Sequence, residues 1–536
     1  MQVRPHLFYD KGNSMGKYLI KRLLHGIVSI VIVVAIVMIL IYSLMNRDLI
    51  FAKDNEYSKK KGNTKEIYQQ QQWEKYGYTD YVHYNEYIQS LVKDGTLTQE
   101  EVDAKGLTGL GKKAENDSDD VKEYVQKFTQ LYQSQGYTVV RLDRKDAYKS
   151  DGRAHLYAVK DIPLLSRLWS FFTGLIKVDT VRYVEEDIGE RGLTFTFYDP
   201  VYGGKKFSPA IMGNGTRHKY LLYFDSSFPY IHQNLVTIQL GKSYVINDGH
   251  DVFETMVVPQ GNYVKLPTIF PTGLETEAAN DLHTATYAAG SRDAGELNKT
   301  RFTDDYTVTT TRKNAMPRIG FSFVIGVLAV IMSYLLGVPL GVIMARRKGG
   351  IADKIGTVYI VFIIAVPSLA YIFMFKAIGH SVGIPSSFDM NDPTNKLMYV
   401  LPIVSLALPS VANLMKWIRR YMIDQLNSDY VKFARSGGLS EGEIFSKHVL
   451  KNAIIPIVHG IPGSVLGAMT GAIITESVYN VPGTGGLLVD AINAYDNGVI
   501  VGVTLFYAVL SVISIILGDV LMALVDPRIS YTSKGR

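Results

Sequence analysis

This chain of 536 residues lacks several motifs by which catalytic and metal sites are recognised. It contains no Cys, which excludes a thiol nucleophile, a zinc–thiolate site and a disulfide framework. It also lacks the His-Glu-x-x-His pattern of zinc proteases and the Gly-x-x-x-x-Gly-Lys-Ser/Thr loop that cradles phosphates. Its 11 His residues are scattered without the spacing of metal ligands. We therefore expect no catalytic residue, no metal, no cofactor bound by this chain and no ATP hydrolysis by it.

One carboxylate lies inside an apolar run, which raises the question of ion-coupled transport. Asp519 falls within the last apolar run, where a charge is costly and therefore suggests a function. It also lies close to the stretch Asp526 to Arg528, so it could simply pair with a cation at the inner membrane edge. We favour this structural role, because the other apolar runs lack the acid–base pairs that bind a coupling ion.

The charged residues 429–456 lie between two apolar runs, and we call this stretch the knob. Good helix formers follow Asp429, an acidic start that suits a helix N-terminus, and a Gly pair ending at Gly438 is typical of a helix stop. Ser440 is expected to cap the next helix, with Glu443 as its capping-box partner. The pattern predicts two short helices joined at a glycine turn. A plain solvated loop, basic because it lies inside the cell, is the alternative.

Six apolar runs are long enough to cross a membrane, which takes about 20 helical residues. They cover approximately 23–45, 319–345, 356–378, 398–418, 454–475 and 500–525. The first run follows Lys17, Lys21 and Arg22, as in a signal peptide. Its apolar core is longer than that of a secreted precursor and no small-residue cleavage site follows it, so we expect an uncleaved anchor.

Basic residues are distributed unevenly between the loops that join these spans. Residues 47–311 carry a net charge of −5, whereas the rest of the chain carries +11, so a nucleic-acid partner is not expected. The segment 476–499 contains no Lys or Arg, while the knob is rich in both. Because basic loops stay in the cytoplasm, we place both termini and the knob inside the cell. The predicted organisation is a cytoplasmic N-terminus with the first span (1–46), an extracellular domain (47–316), a five-span core (317–526) with a cytoplasmic loop (419–456), and a cytoplasmic tail (527–536).

The extracellular domain, which we call the inserted module, has the pattern of a soluble α+β unit. Residues 47–130 are charged and helical in pattern, whereas 137–160 and 193–275 contain alternating runs typical of strands. Apolar residues at helical spacing in 163–178 predict a further helix. This helix lies either on the outer leaflet, with Trp169 at the interface, or inside the module as a buried helix.

Nine positions of the knob match a known pattern. They are Asp429, Tyr430, Ala434, Arg435, Gly438, Leu439, Ser440, His448 and Asn452. With them the knob resembles the coupling loop of the permease subunits of bacterial ABC importers for oligopeptides and dipeptides. The wider superfamily has Glu-Ala-Ala, three residues, then Gly; Lys432 and Phe433 depart from that pattern.

Other stretches agree with this resemblance. They are MARRKGGIADK after the second span, AVPS at 365–368, LPIVSLALPS at 401–410, ESVYNVPGTGGLLVDAI at 476–492 and DPRI at 526–529. The large insertion is atypical of this branch, but it resembles that of the streptococcal type of oligopeptide permease. The stretch 217–244 carries this likeness best.

The resemblance implies an α-helical polytopic membrane protein with six transmembrane helices, the type I ABC importer permease fold, and an inserted extracellular α+β domain. In that family the coupling loop docks on an ATP-hydrolysing subunit and passes its motion to the membrane helices. A non-catalytic permease subunit that imports oligopeptides by alternating access, in the cell membrane of a Gram-positive bacterium, is therefore implied. The implied partners are a second homologous permease, two cytoplasmic ABC ATPases that bind ATP and Mg, an extracellular substrate-binding lipoprotein, the oligopeptide and the lipid bilayer.

Glycine and proline mark two further features of the predicted permease. Gly463, Gly467 and Gly471 recur every four residues and share one helix face. This face forms either a seam beside the translocation path, shared with the second permease, or a tight contact within the chain. Residues 476–486, which we call the outer segment, predict either a lid-like re-entrant piece or an ordinary external loop. The marked positions of the outer segment are Glu476, Pro482, Gly483 and Gly486.

The inserted module is expected first to dock the binding lipoprotein, because Tyr-rich surfaces suit protein recognition. A peptide vestibule is the second expectation and a structural cap the third. Two other functions stay open for the whole chain. A membrane receptor with an extracellular ligand-binding module would need a cytoplasmic output domain, which residues 526–536 do not supply. A secondary peptide carrier would need ion-coupling groups in its spans.

Overall fold

The computed structural model describes residues 6–144, 154–225, 230–247 and 249–525, with side chains from residue 16 onward except at residue 471. The DPRI motif and the predicted tail, 527–536, lie outside these ranges. The described chain consists of an N-terminal helix, the inserted module and a bundle of apolar helices.

The N-terminal helix α1 (His6–Leu44) is apolar enough to span a membrane over Gly16–Leu44. Many of its apolar side chains are exposed, as expected for a helix that faces lipid tails. Val34, Met38 and Ile41 are buried instead, because they pack in a cluster with the last helix of the chain.

The inserted module folds as an α+β unit, as predicted. Its helices are α2 (Asn55–Lys59), α3 (Gly62–Lys75), α4 (Tyr84–Lys93), α5 (Gln99–Ala104), α6 (Asp119–Ser134), α7 (Leu164–Gly174), α8 (Val252–Val257), α9 (Ser291–Ala294) and α10 (Glu296–Arg301). Its strands are β1 (Thr79–His83), β2 (Thr138–Leu142), β3 (His155–Asp161), β4 (Ile176–Val178), β5 (Gly192–Tyr198), β6 (Phe207–Asn214), β7 (Tyr220–Phe224), β8 (Ile231–Gln233), β9 (Val236–Ile238), β10 (Leu266–Ile269), β11 (Glu275–Ala278), β12 (Asn280–Tyr287) and β13 (Tyr306–Thr311). The stretch 47–130 is not wholly helical, because β1 lies within it and pairs with the distant β3.

Antiparallel pairing organises these strands into small sheets. A three-stranded sheet has the order β1-β3-β2, and a core that includes Tyr84, Ile88 and Phe128 packs it against α4 and α6. A four-stranded sheet has the order β5-β6-β7-β8, and β10–β11, β12–β13 and β4–β9 form pairs. Since the chain has no Cys, apolar cores of this kind hold the module together without disulfides.

Helix α7 lies at the surface, which excludes one of the two alternatives for residues 163–178. None of its residues is buried, and the side chains of Leu165 and Trp169 are 79% and 73% exposed. Its other face, with Leu168 and Phe171, packs on the cluster that α1 forms with the last helix. The alternative of a buried helix inside the module is therefore wrong.

The remaining helices form the membrane part. They are α11 (Arg318–Arg346), α12 (Ile351–Ala365), α13 (Ser368–Ser381), α14 (Val400–Leu426), α15 (Asp429–Ser436), α16 (Glu441–Glu443), α17 (Leu450–Ala453), α18 (Ile455–His459), α19 (Ile461–Tyr479), α20 (Thr484–Ala494) and α21 (Asn497–Val525), with a π-helical turn at Ile444–Val449. Within the described residues, five helices are long and apolar enough to cross a membrane, or six if α12 and α13 form one bent span.

The predicted third span, 356–378, is not one straight helix. Helices α12 and α13 are bent by 109° relative to each other. Pro367 explains the break, because it lacks an N–H group and holds Val366 in an extended conformation (φ −86°, ψ 129°). With 15 and 14 residues, each half is too short to cross a hydrocarbon core of about 30 Å by itself.

Helices α11 and α14 form the most extensive helix contact of the membrane part. A Cβ atom at Gly337 would lie 2.9 Å from the Cβ of Leu414, and one at Gly341 would lie 3.0 Å from the Cβ of Ile418. Only glycine allows this approach, which is the way small residues bring membrane helices together. The two helices therefore form a stiff central pair.

Candidate functional site

The knob consists of two helical pieces joined at a turn. Helix α15 ends at Ser436, and the chain then turns at Gly438, whose φ of +83° favours glycine. Ser440 Oγ accepts a hydrogen bond from the backbone N of Glu443 at 3.3 Å, and Glu443 Oε2 accepts one from the backbone N of Ser440 at 3.3 Å. This capping box starts the second piece, which continues through the π-helical turn into α17. The prediction of two short helices joined at a glycine turn is confirmed.

One side of the knob is packed against the end of α14. Val431, Ile444 and Val449 are completely buried, in a cluster that includes Ile418 and Met422 of that helix. Since such interiors are close-packed and transmit strain, the knob and this end of α14 form one rigid unit. Across the glycine turn, an ion pair between two exposed side chains, Arg435 and Glu441, adds a further link.

The opposite side of the knob is open. A shallow depression of about 470 Å³ is lined by Asp429, Tyr430, Phe433, Ala434 and His448. The ring of Phe433 is 81% exposed, although it lies in a polar, charged stretch. An exposed aromatic ring is the kind of side chain that can anchor a protein–protein contact.

The predicted knob residues occupy different parts of this surface. Phe433 was identified in the sequence only as a departure from the superfamily pattern, and its position in a helix between charged residues was the available signal. Four predicted residues line the depression, four are exposed at the end of α15 and in the turn after it, and one is partly buried in α17. The residues that line the depression are Asp429, Tyr430, Ala434 and His448. The exposed residues at the end of α15 and in the turn are Arg435, Gly438, Leu439 and Ser440, and the partly buried residue is Asn452.

A buried ion pair fixes the neighbouring loop to the same end of α14. Arg419 Nε and Nη2 donate to the two carboxylate oxygens of Asp353 at 2.5 and 2.9 Å. The backbone N of Gly349 donates to the same carboxylate at 2.9 Å. Because Asp353 is only 4% exposed, this bidentate pair holds the start of α12 firmly against α14. The sequence contains no local signal for this pair, since its members lie 66 positions apart.

The outer segment is anchored by a buried carboxylate at the far end of the bundle. Glu476 is fully buried; its Oε1 accepts a hydrogen bond from Ser322 Oγ at 2.6 Å, and its Oε2 accepts one from the backbone N of Gly486 at 2.9 Å. Ser322 Oγ in turn accepts the backbone N–H of Thr484 at 2.9 Å. Gly483 leaves no room for a Cβ beside the Glu476 carboxylate. The carboxylate therefore ties α11 and α19 to the start of α20.

Most of the outer segment is ordered by this packing. Pro482 lies in the turn between α19 and α20, and α20 then runs for 11 residues. Leu487 and Ala491 of α20 are completely buried in the cluster shared by α1 and α21. The segment therefore continues as a packed helix and not as an ordinary external loop.

A second buried carboxylate joins the inserted module to this end of the bundle. Asp496, between α20 and α21, is fully buried. Its oxygens accept hydrogen bonds from Ser243 Oγ at 2.6 Å and from the backbone N of Tyr244, Val245 and Ile246 at 2.8, 2.9 and 3.0 Å. Four donors of the module on one carboxylate make a strong, oriented junction. No sequence signal indicated this role, because the partners lie about 250 positions apart.

An open groove of about 550 Å³ lies between α11, α13, α14 and α19. Gly463 and Gly467 lie in its wall and are exposed; a Cβ at Gly463 would come no closer than 4.0 Å to another residue, and one at Gly467 would meet nothing within 4 Å. A tight contact within the chain is therefore wrong for these two glycines. The surroundings of Gly471 lie outside the described side chains. Close intrachain contacts are made instead by Gly337 and Gly341.

Asp519 has the structural role favoured from the sequence. Its Oδ2 accepts hydrogen bonds from Arg22 Nε at 3.1 Å and from Tyr18 Oη at 3.0 Å, both on α1. The pair ties α21 to α1 and compensates the charge of an acid in an apolar helix.

Comparison with known proteins agrees with this architecture. The family model described as binding-protein-dependent transport system inner membrane component matches residues 337–531. Over 534 residues the chain is 33% identical to the oligopeptide transport system permease protein AmiC of Streptococcus pneumoniae, which covers 97% of this chain and 100% of that protein. It is 34% identical over 213 residues to the dipeptide transport system permease protein DppB of Lactococcus lactis, which covers 40% of this chain and 69% of that protein.

Among solved structures, an inward-facing MetNI methionine ABC transporter covers 39% of this chain and 94% of the matched chain, at 13% identity and a TM-score of 0.32. The similarity to AmiC includes the inserted module, because it runs over almost the whole length of both proteins. The chain therefore belongs to the family of binding-protein-dependent transport permeases, in the group of the AmiC-type oligopeptide permeases.

Proposed function

We propose that this chain is a membrane subunit of an ATP-driven oligopeptide importer and that the knob is its contact with an ATPase. The observation that carries this proposal is the exposed ring of Phe433 on a knob whose other side is rigidly packed against α14. The knob offers an exposed aromatic side chain that can anchor a partner. Because its other side is close-packed against α14, a movement of the partner would be passed on to that helix. The ATPases supply the ATP and Mg sites, and the chain itself is not an enzyme.

The proposed orientation places the knob in the cytoplasm and the inserted module outside the cell. Basic loops at the knob end of the bundle and the absence of Lys and Arg from 476–499 support it, since positive charge stays inside. The knob and the module also lie at opposite ends of α14 and α21, as an ATPase and an extracellular binding protein require. The membrane is that of a bacterial cell, and AmiC of a streptococcus supports a Gram-positive source.

A continuous series of contacts supports transmission from the knob to the outer segment. The knob is packed on α14, and α14 is packed on α11 through Gly337 and Gly341. Ser322 of α11 is hydrogen-bonded to Glu476, which orients α20. Closure of the ATPases on the knob would therefore reach the outer segment through stiff elements, and this is the motion that alternating access needs.

The proposal includes three kinds of protein partner. A second homologous permease is expected along the groove wall at Gly463 and Gly467, where this chain makes no close contact of its own. A substrate-binding lipoprotein is expected on the inserted module, which Asp496 joins to the outer segment. Two ATPases are expected, one of them at the knob.

Two other functions receive less support from the observations. In a secondary carrier the spans would hold a free acid–base pair, whereas Asp519 is compensated by Arg22 and Asp353 by Arg419. In a receptor the module would be connected flexibly or to an output domain, whereas Asp496 joins it rigidly to the outer segment. The importer function accounts for both ion pairs and for the exposed knob.

Because the chain contains no Cys, single Cys substitutions give a direct test. We expect Arg435→Cys and His448→Cys to resist a membrane-impermeant maleimide in intact cells and to crosslink to a co-expressed ATPase. Tyr263→Cys, at a residue of the module that is 69% exposed, is the control and should be labelled from outside without an ATPase crosslink. Labelling of the knob from outside, or its failure to crosslink to any ATPase, would overturn the proposal.

Reconstitution of the purified protein distinguishes the importer, the secondary carrier and the receptor. An importer with its second permease, ATPases and binding protein should hydrolyse ATP faster when peptide is present. A secondary carrier should instead accumulate peptide in response to an ion gradient without ATP, and a receptor should do neither.

A further inference from the structure

We infer that the groove between α11, α13, α14 and α19 binds the peptide in transit through uncharged hydrogen-bonding groups and therefore does not sort cargo by charge. This inference rests on the proposed function and adds the chemistry of the path. Of the residues that line the groove in the described part of the chain, none is Asp, Glu, Lys, Arg or His. The polar members of the wall are Ser333, Tyr334, Ser368, Tyr371, Ser405, Ser410, Asn413, Ser464 and Thr475, of which Ser333, Ser405 and Thr475 are almost completely buried.

Asn413 is the most informative member of this wall. It lies midway along α14, its side chain is exposed, and its amide makes no hydrogen bond with another described residue. An unpaired amide is costly against lipid tails, where nothing can satisfy it. Asn413 is therefore placed to form hydrogen bonds with water or with a polar ligand in the groove.

The same wall of the groove contains a second hydrogen-bonding side chain and a proline inside the helix. Pro409 lies inside α14 and lines the groove. Because proline has no N–H group, the carbonyl of Ser405 lacks its usual helical partner. Ser410, which also lines the groove, lies three residues before Asn413 on the same helix face. One wall of the groove thus offers an amide and a hydroxyl within one helical turn.

The other wall, beside which the second permease is expected, projects little into the groove. Gly463 and Gly467 have no side chains and make no close contact with the rest of the chain. Ser464 and Tyr334 lie beside them, and their hydroxyl groups are 3.3 Å apart. A volume of about 550 Å³ is that of a site for a short stretch of peptide and not for a whole folded partner.

Uncharged donors and acceptors in the groove suit the backbone, which is the part that all peptides share. Each peptide group offers one donor and one acceptor, and amide and hydroxyl side chains can serve both. A fixed charge in the groove would favour cargo of the opposite sign and slow its release, because charges interact strongly where water is partly excluded. A neutral wall lets the backbone be held briefly, whatever the charge of the side chains.

The test compares uptake of matched peptides of net charge +2, 0 and −2 by the reconstituted importer. We expect the unaltered protein to transport all three at rates within about threefold. Asn413→Asp should slow the anionic peptide by about tenfold or more relative to the cationic one, since a carboxylate in the groove wall repels it. Asn413→Leu should slow all three alike, because an acceptor and a donor are lost.

The control is Asn391→Asp, which adds the same charge at an exposed position between α13 and α14. It should leave the three rates in their original ratio. If Asn413→Asp, inserted normally in the membrane, also leaves the ratio unchanged, the groove inference is wrong although the importer function stands. If the unaltered protein transports no peptide with ATP, the proposed function itself is wrong. A strong charge preference of the unaltered protein would also overturn the inference.

Discussion

Truncating Phe433 is the most direct perturbation of the proposed contact with the ATPase. Its ring is 81% exposed in the isolated chain, so Phe433→Ala should cost the fold little. In an interface, a Phe side chain buries about 150–250 Å². At about 25 cal/mol per Å², burial of the exposed fraction contributes about 3–5 kcal/mol as an upper bound. The loss of conformational and rigid-body freedom on binding reduces this gain. Truncation of a central aromatic side chain in an interface costs at least about 2 kcal/mol of binding free energy. We therefore expect the affinity for the ATPase to fall at least about 30-fold.

The assay is a titration of the purified permease with its ATPase subunits, followed by peptide-stimulated ATP hydrolysis in the reconstituted importer. Phe433→Ala should weaken binding and abolish the stimulation, while the amount of permease in the membrane stays the same. Phe433→Leu should retain part of the affinity, because it keeps most of the apolar surface. Phe207→Ala is the matched control, since that ring is 67% exposed on the inserted module and should not matter for the ATPase.

The reasoning would be refuted by a correctly inserted Phe433→Ala protein that binds the ATPase with unchanged affinity. Such a result would mean that the exposed ring lies outside the contact. A different partner would then be required for the knob, which is rigidly attached to α14.

Four further predictions concern other parts of the molecule. Gly438→Pro or Gly438→Glu should abolish uptake and uncouple ATP hydrolysis with the protein still in the membrane, because neither residue suits a φ of +83°; normal uptake would reject the coupling role. Asp496→Ala leaves four donors of the module unpaired and should destabilise its junction by about 3 kcal/mol or more, measured as faster proteolysis of the module; Asp496→Asn should lose less. Burial raises the pKa of Asp251 to about 6, above its value of about 4 in the unfolded chain, so its contribution to stability should be lost as the pH rises from about 4 to about 6; thermal unfolding of Asp251→Asn should lack this component. A variant that keeps Trp169 as its only Trp should be quenched by brominated lipids if α7 lies on the outer leaflet, and an unquenched signal would exclude that position.

Local patterns in the sequence were sufficient wherever neighbouring residues decide the structure. The capping box of Ser440 and Glu443 formed as predicted, since both partners lie within one helical turn. The break at Pro367 also follows from local chemistry, because proline lacks an N–H group and disfavours a helical conformation in the residue before it, whereas hydropathy alone predicts one straight span there. The strand β1 was missed in a stretch of helical pattern, because its partner β3 lies far along the chain.

Spacing alone did not decide which glycines bring helices together. Gly337 and Gly341 have the same spacing as Gly463 and Gly467, yet only the first pair meets a helix of this chain. A repeat of small residues identifies a helix face, whereas the neighbour of that face depends on how the bundle is assembled.

By itself, the amino-acid sequence determined the membrane class, the position and local fold of the knob and, through its resemblance, the family. These properties follow from hydropathy, charge and short-range spacing, which act along the chain. Only the tertiary structure decided that Phe433 is exposed, that Glu476 and Asp496 are buried anchors, and that Asn413 faces a groove. Burial and the pairing of distant polar groups depend on which segments pack together, and that information is spread over hundreds of positions of the chain.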